Sequence, residues 1–337
     1  MRVEPAAAQL NRPVESTLSA VVEGYIRPGY AALADASNSL QAATVRYCAN
    51  PSDTTRAAVD ESFRRTVQAL GAVAFIDFGP AGINRRLERL NTPAPEKDGE
   101  ENPPIVAGDG SQAGPEDVGA LAQEPPQIQG LPAFERLLVA APAEPGSDRF
   151  AETCRFAGLV AANVRAIATA LDSDWAKDGG YGDWLAAPAP DNPVYPKVEL
   201  ALEEVLAAFV RGTRAAGDRL QRFTADQAAG AALGPFDRSQ LVMLYQQAEV
   251  RGLGQFFQAV DLVDATEPPY RVHAERVAAS IGEASAALAE IKVEDSDKPS
   301  EQTIAAMTRA RAALMEAGDS AELLSAELAK AHASDQR

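Results

Sequence analysis

Histidine is nearly missing from this chain, with only His273 and His332 in 337 residues. Catalytic zinc sites draw on three protein ligands, usually with imidazole among them. No His-Glu-x-x-His run occurs, so hydrolysis by a metal-bound water has little to rest on. The same scarcity argues against a Cys–His nucleophile pair. A Gly-x-Ser-x-Gly elbow, a P-loop and a Rossmann fingerprint in a strand–helix setting are absent as well. Cysteine is equally sparse: Cys48 and Cys154 are too few for a disulfide framework. Aromatics make up 6% of the chain and β-branched runs are scarce, which disfavours sheet, whereas abundant alanine favours helix. Positive charge is also short. Lys and Arg total 31 against 48 Asp and Glu, a net charge of −17, which works against nucleic acid and anionic membranes as partners. No continuous apolar run reaches the roughly 20 residues of a membrane span. The start, Met1 to Ala8, lacks the apolar segment of a secretory signal; a cytosolic protein and a chain whose leader has been removed both fit.

What is present is helical periodicity. The length suits one large or two medium domains. Leu18, Val21, Val22, Tyr25 and Ile26 form one stripe, and Arg27-Pro28-Gly29 interrupts it; Pro28 predicts a kink or break. Asn50-Pro51-Ser52-Asp53 reads as a turn and helix cap, and Val59, Phe63, Val67, Leu70 and Val73 follow at spacings of three and four. Phe78-Gly79-Pro80 ends that helix, and a short one with Arg85, Arg86 and Arg89 follows it. Residues 91–127 differ in kind. Their seven Pro, five Gly and eight Asp or Glu predict an acidic surface loop that buries little apolar surface. A further stripe runs through Phe150, Cys154, Val160, Val164 and Leu171. Trp175, Tyr181 and Trp184 then pin a connection that leads to more striped helices between Lys197 and Leu328. The expectation is an all-α protein of two packed helical bundles, residues 14–175 and 197–332.

One stretch organises the rest, Gly130-Leu131-Pro132-Ala133-Phe134-Glu135-Arg136-Leu137-Leu138. Its apolar residues fall at helical spacing, and Pro132 suits a first helical turn. Glu135 is either a solvent-edge carboxylate favoured by the helix dipole or one held half-buried. The stretch resembles the Gly-x-His-x-x-Glu signature helix of the imelysin family, which covers metallopeptidases and bacterial iron-uptake proteins. Gly130 and Glu135 match, but Pro132 occupies the histidine position and has no side-chain atom to ligate a metal. Ile26-Arg27-Pro28-Gly29-Tyr30, Cys48, Phe78-Gly79-Pro80 and the Cys154 helix resemble that family in the same order. An aromatic-Pro-Asp phrase of the family is replaced here by Leu90-Asn91-Thr92-Pro93.

The resemblance implies export to the periplasm or cell envelope, two helical bundles with the signature helix near their junction, and membership of the iron-regulated branch that is not peptidase-like. The ligand site it implies lies around Gly130, Pro132, Glu135, Tyr30 and Arg86. A hard cation, with iron as the candidate, would need oxygen ligands such as Glu135 with Tyr30 or Glu23. The competing reading pairs Glu135 with Arg85, Arg86 or Arg136 as a structural clamp. In an exported protein Cys48 and Cys154 form either a disulfide or two buried thiols, and His273 reads as a surface helix residue. The functional expectation is a non-catalytic binding or accessory protein of iron uptake, monomeric and not embedded in a membrane, acting on a ligand or an iron-uptake component. Two alternatives stay open: a metallopeptidase, and a surface interaction protein acting through loop 91–127.

Overall fold

The structure is a computed structural model; it describes residues 14–93, 115–139, 143–226, 235–266, 271–292 and 300–335. Among the described residues every regular element is a helix and no strand occurs. The first stripe forms α1 (Val14–Val21) and α2 (Arg27–Ala49). Pro28 does not break the rod. A π-helical turn, Val22–Ile26, precedes it, and Arg27 N–H donates to Val22 O, five residues back. The wider turn makes room for a proline ring that has no N–H to donate.

Helix α3 (Asp53–Val73) starts at a reciprocal cap, in which Ser52 Oγ accepts from Thr55 N–H and Thr55 Oγ1 accepts from Ser52 N–H. The chain then passes through α4 (Arg86–Asn91) and α5 (Val118–Leu121) to α6 (Leu131–Phe134). The predicted acidic loop is thus partly structured. Residues 115–127 carry α5, which packs on the helix α7 (Asp148–Ala176), and Leu121 is buried; residues 94–114 lie outside the described residues. Downstream come α8 (Tyr181–Ala186), α9 (Val198–Asp226), α10 (Val242–Val260), α11 (Leu262–Ala265), α12 (Arg271–Ala289) and α13 (Glu301–Asp335).

Helix α2 packs between α3 and α7, and α13 packs between α9 and α12. Helix α10 touches α3 on one side and α9 and α12 on the other, so it joins the two groups. Its contact with α3 is close enough to require missing side chains. A Cβ on Gly71 would sit 2.9 Å from the Tyr245 carbonyl oxygen, and one on Gly252 would sit 2.5 Å from that of Ala72. The connection after α7 is held by aromatic rings: Trp175 meets Tyr181 edge-on at 5.3 Å, and the Tyr181 and Tyr195 hydroxyls lie 2.6 Å apart.

Helix α7 is long and apolar enough to cross a membrane by length and composition, yet 56% of that stretch is buried inside the molecule. It is also tied covalently to α2. Cys48 and Cys154 form a disulfide with Cα atoms 5.6 Å apart, closing a loop of 106 residues. Loops of that size give large entropic stabilisation. Replacing both cysteines by serine should lower the unfolding free energy by about 2–5 kcal/mol. Urea titration with and without reductant checks this, with the variant insensitive to reductant.

Candidate functional site

The signature stretch folds as the short helix α6 followed by a π-helical turn, Glu135–Val139. Gly130 caps it, and the glycine is needed for approach rather than for a left-handed backbone. A Cβ there would lie 2.3 Å from Leu90 O and 2.5 Å from Arg89 O, both on α4. Pro132 sits in the first turn, where no N–H partner is required. Leu131, Pro132, Ala133 and Phe134 are all buried. Phe134 stacks on Phe63 at 5.6 Å, Phe63 meets Phe236 edge-on at 6.0 Å, and Phe236 touches Tyr245 at 5.4 Å. This aromatic column runs from the signature helix through α3 to α10.

Glu135 is 3% exposed, neither a solvent-edge carboxylate nor a half-buried one. One of its oxygens accepts the Ser239 backbone N–H at 2.6 Å. That N–H belongs to a turn in which Phe236 (φ 71°) and Gln240 (φ 60°) both adopt left-handed backbone. Such conformations cost non-glycine residues about 1–2 kcal/mol each, and the turn is held by Leu241 N–H to Phe236 O at 2.9 Å. Burial pushes the Glu135 carboxyl above the usual carboxylate range, while hydrogen bonding from Ser239 and the nearby Arg238 pull it back. The adjacent Arg136 is pushed down to about 10 by burial and by Arg238.

The other residues expected at this site have partners of their own. The Tyr30 hydroxyl donates to Ile76 O at 3.0 Å and its ring stacks on Trp175 at 5.9 Å, so it is a core residue. Arg86 donates to Asp174 at 2.6 Å, tying α4 to the end of α7. Glu23 is paired with Arg27, and Arg85 with Glu88. No hydrogen bond or ion pair joins Arg85 or Arg86 to Glu135 among the described residues, so the Arg85 and Arg86 clamp does not form. Of the arginines weighed, Arg136 is the one that interacts with Glu135 electrostatically. His273 is partly buried, 3.4 Å from Glu327 on α13. His332, expected in a tail, falls within α13.

Two polar groupings escaped the sequence reading. Beside Gly130, Arg89 donates to Gln129 at 2.6 Å and to Asn163 at 3.1 Å, and Asn163 donates back to Gln129 O at 2.9 Å. Next to the aromatic column, Asn91 donates to the Tyr245 hydroxyl at 2.8 Å, and Arg219 pairs with the fully buried Glu249. The available signal was a polar residue, Asn163 or Glu249, standing among buried apolar neighbours on one helix. Among the described residues, no three His, Cys, Asp or Glu side chains converge in a way that would hold a metal ion. Glu135 is a lone carboxylate with one oxygen already bonded to Ser239, and Pro132 supplies no donor, so these residues do not fit a resident iron or zinc.

The chain matches the family model described as Imelysin (peptidase M75) over residues 26–327. No curated protein matches it. Among solved structures it is similar to an imelysin-like protein from Psychrobacter arcticum 273-4, at 15% identity, 95% of each chain and a TM-score of 0.64. It is also similar to a protein assigned by name as an iron-regulated protein A precursor, from Parabacteroides distasonis ATCC 8503. That match is at 16% identity, covers 96% of this chain and 98% of the other, and has a TM-score of 0.70. At these identities the likeness is one of fold.

Two stability predictions follow from the geometry. Gly130→Ala should cost about 1–3 kcal/mol by forcing α6 away from α4, read as a lower melting temperature. Glu135→Gln should gain on the natural protein as pH rises. An acid whose folded pKa is raised stabilises the fold below its unfolded value of about 4.3 and loses that contribution as pH climbs through the folded value. Unfolding curves at pH 4 and pH 7 test this; curves that stay parallel would remove burial as the dominant influence on Glu135.

Proposed function

The chain belongs to the imelysin family, and on that premise we propose that it is an exported, non-catalytic binding or accessory protein of bacterial iron uptake. The observation that carries this reading is the state of Glu135. It is the one side chain of the motif able to ligate a metal, and it is buried and spent on the Ser239 N–H. A hydrolytic metal needs an open coordination position and several protein ligands, and with Pro132 beside Glu135 neither has a source. The likeness to an iron-regulated protein A precursor supports the link to iron and to export. The Cys48–Cys154 disulfide is in keeping with an oxidising compartment. With residues 14–175 and 197–332 taken as the two domains, the binding site is assigned to their junction, entered from the Ser239 side because α6 itself is buried.

The test has two arms. Purified protein and Glu135→Ala are analysed for bound metal and titrated with iron and zinc, alongside an assay for peptide cleavage. No stoichiometric metal and no cleavage are expected from either protein. Deleting the gene should slow growth in iron-poor medium only, and the natural chain should restore it. Cleavage lost in Glu135→Ala would restore the peptidase reading, and growth indifferent to iron would remove the uptake role.

A further inference from the structure

A cleft of about 660 Å³ opens where α3, α10 and the chain just after α12 meet. Arg64, Arg251 and Lys292 line it with Ser239 and Gln247, and among the described residues no carboxylate does. In a chain of net charge −17 that is an unusual wall. Among the described residues, four acids close by in sequence are engaged elsewhere: Asp60 with Arg56, Glu61 with Arg65, Glu249 with Arg219 and Glu290 with Arg309. Arg64, Arg251 and Lys292 make no hydrogen bond or ion pair among the described residues. Cations gathered around a concavity focus their field into it and attract counter-charge.

The polar groups narrow the ligand further. Gln247 donates to Leu288 O at 2.8 Å and Ile291 O at 2.9 Å, and Ser239 Oγ donates to Phe236 O at 3.2 Å. Their donors are therefore used, and what each retains is an acceptor. We infer that this cleft binds a small hydroxyl-bearing polyanion with two or more carboxylate or phosphate groups, its charges on Arg64, Arg251 and Lys292 and its hydroxyl on Ser239 or Gln247. The volume lies in the range of small-molecule sites, and guanidinium forks suit oxyanions. The inference rests on the junction reading, since Ser239 bonds Glu135 on one side and lines the cleft on the other. Hydroxy-polycarboxylates also chelate ferric iron through hard oxygen donors, which would make the cargo an anionic chelate rather than a naked ion.

Calorimetric titration with citrate, ferric citrate and pyrophosphate tests this on the full chain. One-to-one binding that weakens with salt is expected, with affinity at least about tenfold lower in Arg64→Gln/Arg251→Gln, as for loss of charge-assisted hydrogen bonds. Both arginines are exposed, so the variant should keep its melting temperature. Ferric citrate binding more tightly than citrate assigns the chelate as cargo, and equal binding assigns the free anion. Silence from all three probes, or binding unchanged in the double variant, overturns the proposal. Glu294, Asp295 and Asp297 follow Lys292 closely in sequence. Binding that emerges only in Glu294→Gln/Asp295→Asn/Asp297→Asn would overturn it in favour of an internal ion-pair cluster. Anion binding without an iron-dependent growth effect would retain the cleft and remove the iron-uptake reading.

Discussion

Backbone contact between α3 and α10 is the constraint on which the junction depends. It exists because Gly71 and Gly252 have no side chains to hold the helices apart. With α10 seated there, the turn that leads into it passes over the signature helix. Ser239 N–H then meets a carboxylate 104 positions away in sequence, and the column Phe134–Phe63–Phe236–Tyr245 fills the space between. Shifting α10 by one turn, about 5.4 Å, would unmake both.

A carboxylate inside this packing has two consequences. Its charged form is disfavoured by burial and supported by one backbone N–H and the arginines nearby. It therefore anchors the left-handed turn at Phe236–Gln240 instead of offering itself to solvent. The open side of that turn faces the cleft with Arg64 and Arg251, so one side of the turn is fixed by the buried carboxylate and the other borders open space. Strained non-glycine backbone at such a position is a common feature of functional sites. The disulfide between α2 and α7 fixes the scaffold on which α6 rests.

The stripes of α2, α3, α7 and α9 were legible in the sequence because apolar spacing near 3.6 residues states which face is buried. Gly130 was legible only as a match to a family signature, its close approach to α4 being a tertiary fact, and Pro132 was legible as a helix-start residue without ligand chemistry. Pro28 was legible as a disturbance but not as a wide helical turn, since either a break or a π-turn can accommodate a missing N–H. Tyr30 and Arg86 were grouped with Glu135 from a family pattern, which says nothing of their own partners. In the fold their partners are Ile76, Trp175 and Asp174. The network of Arg89, Gln129 and Asn163 was hidden, because three residues spread over more than seventy positions carry no periodic signal.

By itself the sequence determined the helical class, the burial pattern along each helix, and the absence of a histidine ligand in the signature. These follow from local composition and spacing. Only the tertiary structure decided that Glu135 is fully buried, that Ser239 is its partner, and that Arg64, Arg251 and Lys292 share one cleft. Each of those facts depends on how α10 docks on α3, and docking is set by shape complementarity between distant segments, which no local pattern encodes.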